Sequence, residues 1–278
     1  MPAAERLPDL INRRGLLSLT RSLIRIPTPN PPGNEREAVL FLEPRLRKMG
    51  FRLRRVITPA GRWNLLAERG FGTRRRGEPQ RTFLFNGHLD VVPVGDADSW
   101  KHPPFAAKVA GGKLWGRGSA DMKGGVAAFL AAAEAVVRSG MRSPHRLAIH
   151  LVSDEEALGA EGTGYLVAKG LVRASLAVVG EPTSLQPVLA AKGTLRGRVT
   201  VLGRAAHSST PERGVNAIRH AAHLVERLSR MRFEARHPLL GRPTLVVTKI
   251  HGGVRSNVVP PECVIEFDRR ILPGEKPA

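Results

Sequence analysis

Residues 124–156 read GGVAAFLAAAEAVVRSGMRSPHRLAIHLVSDEE, and the two halves of this stretch have different periods. In the first half Val126, Phe129, Leu130, Ala133 and Val137 recur every three or four residues, the apolar stripe of a helix packed on a sheet. In the second half Leu147, Ile149 and Leu151 alternate, so a strand follows and runs into Ser153, Asp154, Glu155 and Glu156. Upstream, FLFNGHLDVVP at residues 83–93 starts as a strand and continues as a loop; downstream, LAVVGEP from Leu176 is a further strand. Strands alternating with helices imply an α/β domain with a mostly parallel sheet, whose ligands bind beyond the carboxyl ends of the strands.

Further upstream, residues 35–50 carry Val39, Leu40, Leu42, Leu46 and Met49 at helical spacing, with Gly50 as a stop and Pro44 as an interior kink. Residues 74–80 form a polar connection. After about Gln186 the texture changes. LRGRVTVLG (195–203) is a long alternating strand, GVNAIRHAAHLVERL (214–228) is a helix with Ile218, Ala222, Val225 and Leu228 on one face, and TLVVTKIHGG and CVIEFDRRIL are two more strands. A β-α-β-β order is a small α+β unit, so the expected domains are residues 1–186 and 187–278.

A chain of 278 residues with 42% apolar residues buries one large core, or one core and a smaller domain. The single cysteine, Cys263, excludes an internal disulfide, a zinc ribbon and a redox pair. The N-terminal residues are charged throughout and hold no apolar run of the kind a signal peptide needs, and no segment is long enough to span a bilayer. The expectation is a cytoplasmic protein without a membrane partner. The net charge of +20 raises nucleic acid as a partner, but the dense runs at Arg74, Arg75 and Arg76 and at Arg52, Arg54 and Arg55 lack interleaved aromatics. Solvated basic faces explain them, and no nucleic-acid partner is expected.

The residues with chemical promise are His88 and Asp90 in GHLD, Asp121 in GSADMKGG, Glu155 and Glu156 in SDEE, and Glu181 in VGEP. Each group lies just past a predicted strand or before a predicted helix, on one rim of the sheet. Several carboxylates converging beside one histidine repel one another, and a pair of divalent metal ions resolves the conflict. Imidazole and carboxylate ligands suit zinc. Neighbouring side chains at a strand end point apart, so one glutamate of the pair 155 and 156 can bind metal while the other moves protons.

The runs NGHLDVVP, GRGSADMKGG (with Asp121 33 residues after His88), SDEE, VGEP, GRAAHSSTPERGVNAI and SNVVPPECVIEFDRRILPGE occur in that order. Together they resemble the zinc metallopeptidase and deacylase family of acetylornithine deacetylase, succinyl-diaminopimelate desuccinylase, aminoacylase and glutamate carboxypeptidase. The resemblance covers nearly the whole chain. It implies a catalytic domain with an inserted lid that pairs two subunits into a homodimer, and hydrolysis of the amide bond of N-acyl amino acids. It also implies two Zn2+ ions per subunit, with Co2+ as an alternative ion. His88, Asp121 and Glu181 would hold the first ion, and Asp121 with Glu156 the second; Asp90 would orient His88, and Glu155 would be the general base.

In the lid, the resemblance implies that His207 reaches the partner subunit's site, and that Asn257 and Arg270 hold the substrate carboxylate. Arg270 is preferred over Arg269 because the family writes this segment as Asp, any residue, Arg. The family also places a last histidine ligand well beyond this motif, whereas the sequence ends at Ala278. None of His102, His145, His150, His220, His223, His237 and His251 stands in a matching context. The expectation is therefore a catalytic domain lacking its closing part, a lid lacking its last helix and a second metal site lacking one ligand. The competing reading is an inactive remnant that keeps metal binding or dimerisation.

Overall fold

A computed structural model describes residues 7–72 and 80–275, so the Arg74, Arg75 and Arg76 run and nearly all of the polar connection lie outside it. The chain divides into two compact units between Leu185 and Gln186.

The first unit opens with helix α1 (Arg13–Arg25), whose N-cap Asn12 accepts a hydrogen bond from the Gly15 amide at 2.9 Å. Helix α2 (Arg36–Lys48) follows, with Pro44 inside it. Strands β1 (Arg52–Ile57) and β2 (Trp63–Phe71) form a hairpin whose turn is closed by the Thr58 amide on Arg62 O at 3.0 Å. After β3 (Thr82–His88) come the short strands β4 (Lys108–Ala110) and β5 (Lys113–Trp115), helix α3 (Lys123–Arg138), β6 (Ser143–Val152), helix α4 (Thr163–Ala168) and β7 (Leu176–Val179).

The main sheet has the order β1-β2-β6-β3-β7. β3 pairs in parallel with β6 and β7, but β2 pairs antiparallel with both β1 and β6. The expectation of a mostly parallel sheet is therefore corrected to a mixed one. For β1 and β2 the physical reason is the tight turn between them, which leaves no room for the crossover that parallel pairing requires.

Helices α1, α2 and α3 cover one face of this sheet. Leu23, Leu42, Leu46, Leu65, Phe85, Leu130 and Ile149 meet there in a shared core and are essentially inaccessible to solvent. Each such side chain contributes about 1.5–3 kcal/mol on burial, so this face carries most of the unit's stability. The opposite face is thinner, with Leu166 of α4 against Val56, Leu66 and Val152.

The second unit consists of β8 (Gly193–Leu202), helix α5 (Ala217–Arg230), β9 (Thr244–Gly252) and β10 (Glu262–Ile271). Its sheet has the order β8-β10-β9, antiparallel throughout. Helix α5 starts three residues later than expected because the Asn216 side chain caps it, accepting from the Arg219 amide at 3.0 Å. The buried face is also rotated from the expected one. Ala217, Ala221, Leu224 and Val225 pack on Val201, Val247, Cys263 and Ile265, whereas Ile218 and Ala222 are exposed. Two small residues at 217 and 221 let the helix sit close to the sheet. Among the described residues no helix is long and apolar enough to cross a membrane.

Candidate metal centre

Because β3, β6 and β7 run parallel, their carboxyl ends lie on one rim of the sheet. β3 ends at His88, β6 ends three residues before Glu155, and β7 ends two residues before Glu181. Asp121 stands just ahead of α3. The loop carrying Glu181 lies directly against the start of α3: a Cβ added at Gly125 would meet Gly180 O at 2.5 Å. Only glycine at 125 permits this approach, which draws Glu181 toward Asp121.

At the centre is His88, 1% exposed. Its Nε2 lies 3.0 Å from Asp121 Oδ1, 3.8 Å from Glu181 Oε1 and 3.9 Å from Glu155 Oε2. Its Nδ1 faces the backbone oxygen of Asp90 at 2.8 Å and Asp90 Oδ1 at 3.5 Å. Asp90 is fully buried, and its carboxylate accepts the Glu155 and Glu156 amides at 3.2 Å each. Glu156 Oε1 also accepts from the Val92 amide at 3.1 Å.

Single ligand atoms of His88, Asp121 and Glu156 lie within 4.8 Å of one another, as do those of His88, Glu155 and Glu181. Both glutamates of the pair thus approach His88. They do so from a one-turn 3-10 helix, Glu155–Ala157, and not from the strand end expected above, so strand alternation does not separate their roles.

The electrostatics favour a cation. Burial opposes the charge of His88, but hydrogen bonds to Asp121 and Asp90 and the carboxylates of Asp90 and Glu181 outweigh it and push the imidazole up to about 11. Burial, and then repulsion from Asp121 and Glu155, outweighs the attraction of His88 and pushes Glu181 up to about 7. Glu156 is raised by burial and by Asp121. Asp121 is held low, chiefly by its hydrogen bond to His88. With the imidazole neutral, as a ligand must be, Glu156 and Glu181 would lose the one cation that attracts them among the described residues, and an imidazole–carboxylate donor set suits zinc.

Residues 84–265, from β3 to β10, match peptidase family M20/M25/M40.

The chain belongs to peptidase family M20/M25/M40.

Succinyl-diaminopimelate desuccinylase of Dechloromonas aromatica (strain RCB) is 36% identical over 242 residues, covering 84% of this chain and 62% of the relative. The protein of that name from Cereibacter sphaeroides is 37% identical over 257 residues, covering 89% and 65%. The chain thus spans less than two thirds of the length of these curated relatives. In fold it resembles an M20 family metallo-carboxypeptidase of Sulfolobus solfataricus, with a TM-score of 0.75 at 19% identity over 94% of this chain and 72% of that one. A tripeptidase of Staphylococcus aureus gives a TM-score of 0.68 at 21% identity, over 94% and 67%.

The second unit of this M20 chain holds the other residues named from sequence. His207 is exposed, with Nδ1 2.8 Å from Ser209 Oγ, and it forms a bridge to Val258. The Ser208 amide donates to Asn257 O at 3.0 Å, so His207 and Asn257 are neighbours. Arg270 on β10 donates to Asp268 at 2.8 Å, whereas Arg269 pairs with Glu275 at 2.7 Å and stacks over Phe233.

Several residues around the candidate metal centre were not legible in sequence. Lys123 is fully buried and donates to Leu23 O at 3.0 Å and Ile26 O at 2.6 Å, capping the end of α1 with a charge. Burial outweighs the attraction of Asp90, Glu35 and Glu37 and pulls its ammonium down to about 8. Asn30, Glu35, Arg62 and Asp154 form a second buried polar group behind Asp90.

Proposed function

We propose that this chain carries the metal-binding domain and the lid of an amidohydrolase that cleaves the amide bond of N-acyl amino acids. Residues 1–186 are the catalytic domain in this reading, and residues 187–278 are the lid that pairs two copies into a homodimer. The observation behind it is a buried imidazole, His88, with carboxylates of Asp121, Glu155 and Glu181 all within 3.9 Å of its Nε2. Isolated from a cation, such a cluster opposes folding.

In this reading His88, Asp121 and Glu181 hold one ion, and Asp121 and Glu156 hold a second. Zn2+ or Co2+, when bound, supplies Lewis acidity that polarises the amide carbonyl and makes water a nucleophile at neutral pH. The chain's residues do the rest. Asp90 fixes the His88 ring through Nδ1 and leaves Nε2 for the centre. Glu155, with its side chain half exposed, takes a proton from the attacking water and returns it to the departing amine. Asn257 and Arg270 bind the substrate carboxylate, for which a guanidinium fork is well shaped. His207 acts on the site of the partner copy.

The curated relatives are named for removal of a succinyl group, so N-succinyl and N-acetyl amino acids are the substrates to test first. The protein is stripped of metal, reloaded with Zn2+ or Co2+, and assayed for release of succinate or acetate. Turnover that appears on loading and disappears with chelator supports the reading. Metal binding without turnover of either class, or turnover that survives chelation, contradicts it.

A further inference from the structure

Behind the metal centre lies a buried ionic group that none of the roles above uses. The Arg62 guanidinium, 9% exposed, donates from Nη2 to Glu35 Oε1 at 2.5 Å and from Nε to Glu35 Oε2 at 3.1 Å. From Nη1 it donates to Asp154 Oδ1 at 2.8 Å and reaches Asn30 Oδ1 at 3.4 Å. Asn30 in turn donates from Nδ2 to Asp90 Oδ2 at 2.8 Å. Glu35, Asn30 and Asp154 are 1%, 5% and 6% exposed.

The place of Asp154 gives this group a consequence for the site. It directly precedes Glu155 and Glu156, and its backbone is left-handed at φ +66°. A non-glycine residue adopts that conformation when its surroundings hold it there. Here Arg62 and Asn30 hold Oδ1, and Oδ2 accepts the Glu161 amide at 3.1 Å. The seat of the guanidinium is itself shaped for it: a Cβ at Gly33 would fall 2.4 Å from Arg62 Cζ.

We propose that Arg62 is the positioning residue of the metal centre: by clamping Asp154, and Asp90 through Asn30, it sets the direction in which Glu155 and Glu156 leave the sheet. A surplus ion pair would tolerate any cation. This one places Nε and Nη2 side by side on Glu35 and Nη1 on Asp154, a planar fork that a single ammonium cannot copy. The inference deepens the hydrolase reading and rests on it for the meaning of the two glutamates, but it is tested apart from catalysis.

The test compares Arg62→Lys and Asn30→Ser with the wild-type chain by two measurements. The first is backbone amide exchange in the metal-free protein. The amides of Glu155 and Glu156, which donate to Asp90, should exchange roughly tenfold faster in both variants, with β3 and β6 unchanged. The second is Co2+ affinity by competition with a chromophoric chelator, together with the visible Co2+ spectrum. Affinity should fall about 10- to 100-fold, the usual effect of losing the support of metal ligands, and the spectrum should shift.

Arg55→Lys is the control, since Arg55 pairs with the buried Glu43 away from the centre; it should alter neither readout. If Arg62→Lys does not fold, Asn30→Ser decides alone. Unchanged local exchange and affinity overturn the proposal, as does a uniform rise in exchange across the unit with affinity intact. A wild-type chain that binds no Co2+ refutes the hydrolase reading and not this one, which the exchange data then decide.

Discussion

His150 sits in the middle of the sheet, in β6, opposite Leu66 of β2 and Asn86 of β3, and is 2% exposed. Its Nδ1 is buried without a hydrogen-bond partner among the described residues. Burial pulls its pKa down from 6.5 to about 4, so the folded protein holds it neutral where the unfolded chain protonates it. Between these values the unfolded state binds more protons, and folding stability is lost as pH falls from about 6.5 toward 4. With a folded value of about 4, lowering the pH from 7 to 5 removes about 2 kcal/mol through this one residue.

The variant His150→Leu, of similar bulk and without ionisation, should lack that loss. Urea and thermal unfolding of the metal-free protein at both pH values should show the variant gaining about 2 kcal/mol on the wild type between pH 7 and pH 5. For a unit of this size that corresponds to roughly 4–8 °C in Tm. Every other titrating group is shared, so its contribution cancels in the difference. A stability gap constant within about 0.5 kcal/mol from pH 7 to pH 5, or one moving the other way, refutes the reasoning.

Three further outcomes are expected. Glu155→Gln should keep the zinc content of the wild type and abolish hydrolysis, while Glu156→Gln should lower zinc content; metal analysis showing the reverse would exchange the two roles. Gly125→Ala places a methyl 2.5 Å from Gly180 O, so the loop bearing Glu181 must move, with zinc affinity measured by chelator competition falling at least about tenfold. Lys123→Met strips charge-assisted donors from Leu23 O and Ile26 O but also removes a buried ammonium, and the balance should be a loss of about 1–3 kcal/mol in urea unfolding at pH 7.

What the sequence disclosed is unevenly distributed, for physical reasons. The strand ending at His88, the helix beginning at Lys123 and the strand before Ser153 were legible because each buries an apolar face whose period matches its geometry. The mixed character of the sheet was not. β1 reads RLRRVI: its three arginines are exposed, as the reading of a solvated basic face expects, and the same polarity hid that the segment is a strand, with Val56 its only buried residue. The face of α5 was misread because Ala217 and Ala221 bury fully while the larger Ile218 does not; small residues mark close approach, which periodicity of bulk misses.

The rim residues were legible as chemistry because a histidine and several carboxylates fall together past neighbouring strand ends, although each alone reads as a surface charge or a helix cap. Their supports were not, because Arg62 is one of many arginines and Asn30 and Asp154 look like ordinary turn residues until folding brings segments 32 to 124 positions apart into one cluster.

The central claim is that the rim around His88 is a metal centre, and equilibrium zinc binding tests it most directly. Metal-free wild-type protein and His88→Ala are titrated with Zn2+ against a competing chelator, with circular dichroism to confirm that both are folded. Tight binding by the wild type, weakened at least about 100-fold in His88→Ala, is the predicted result. A folded wild type that binds no zinc, or a His88→Ala protein that binds it equally well, would contradict the account.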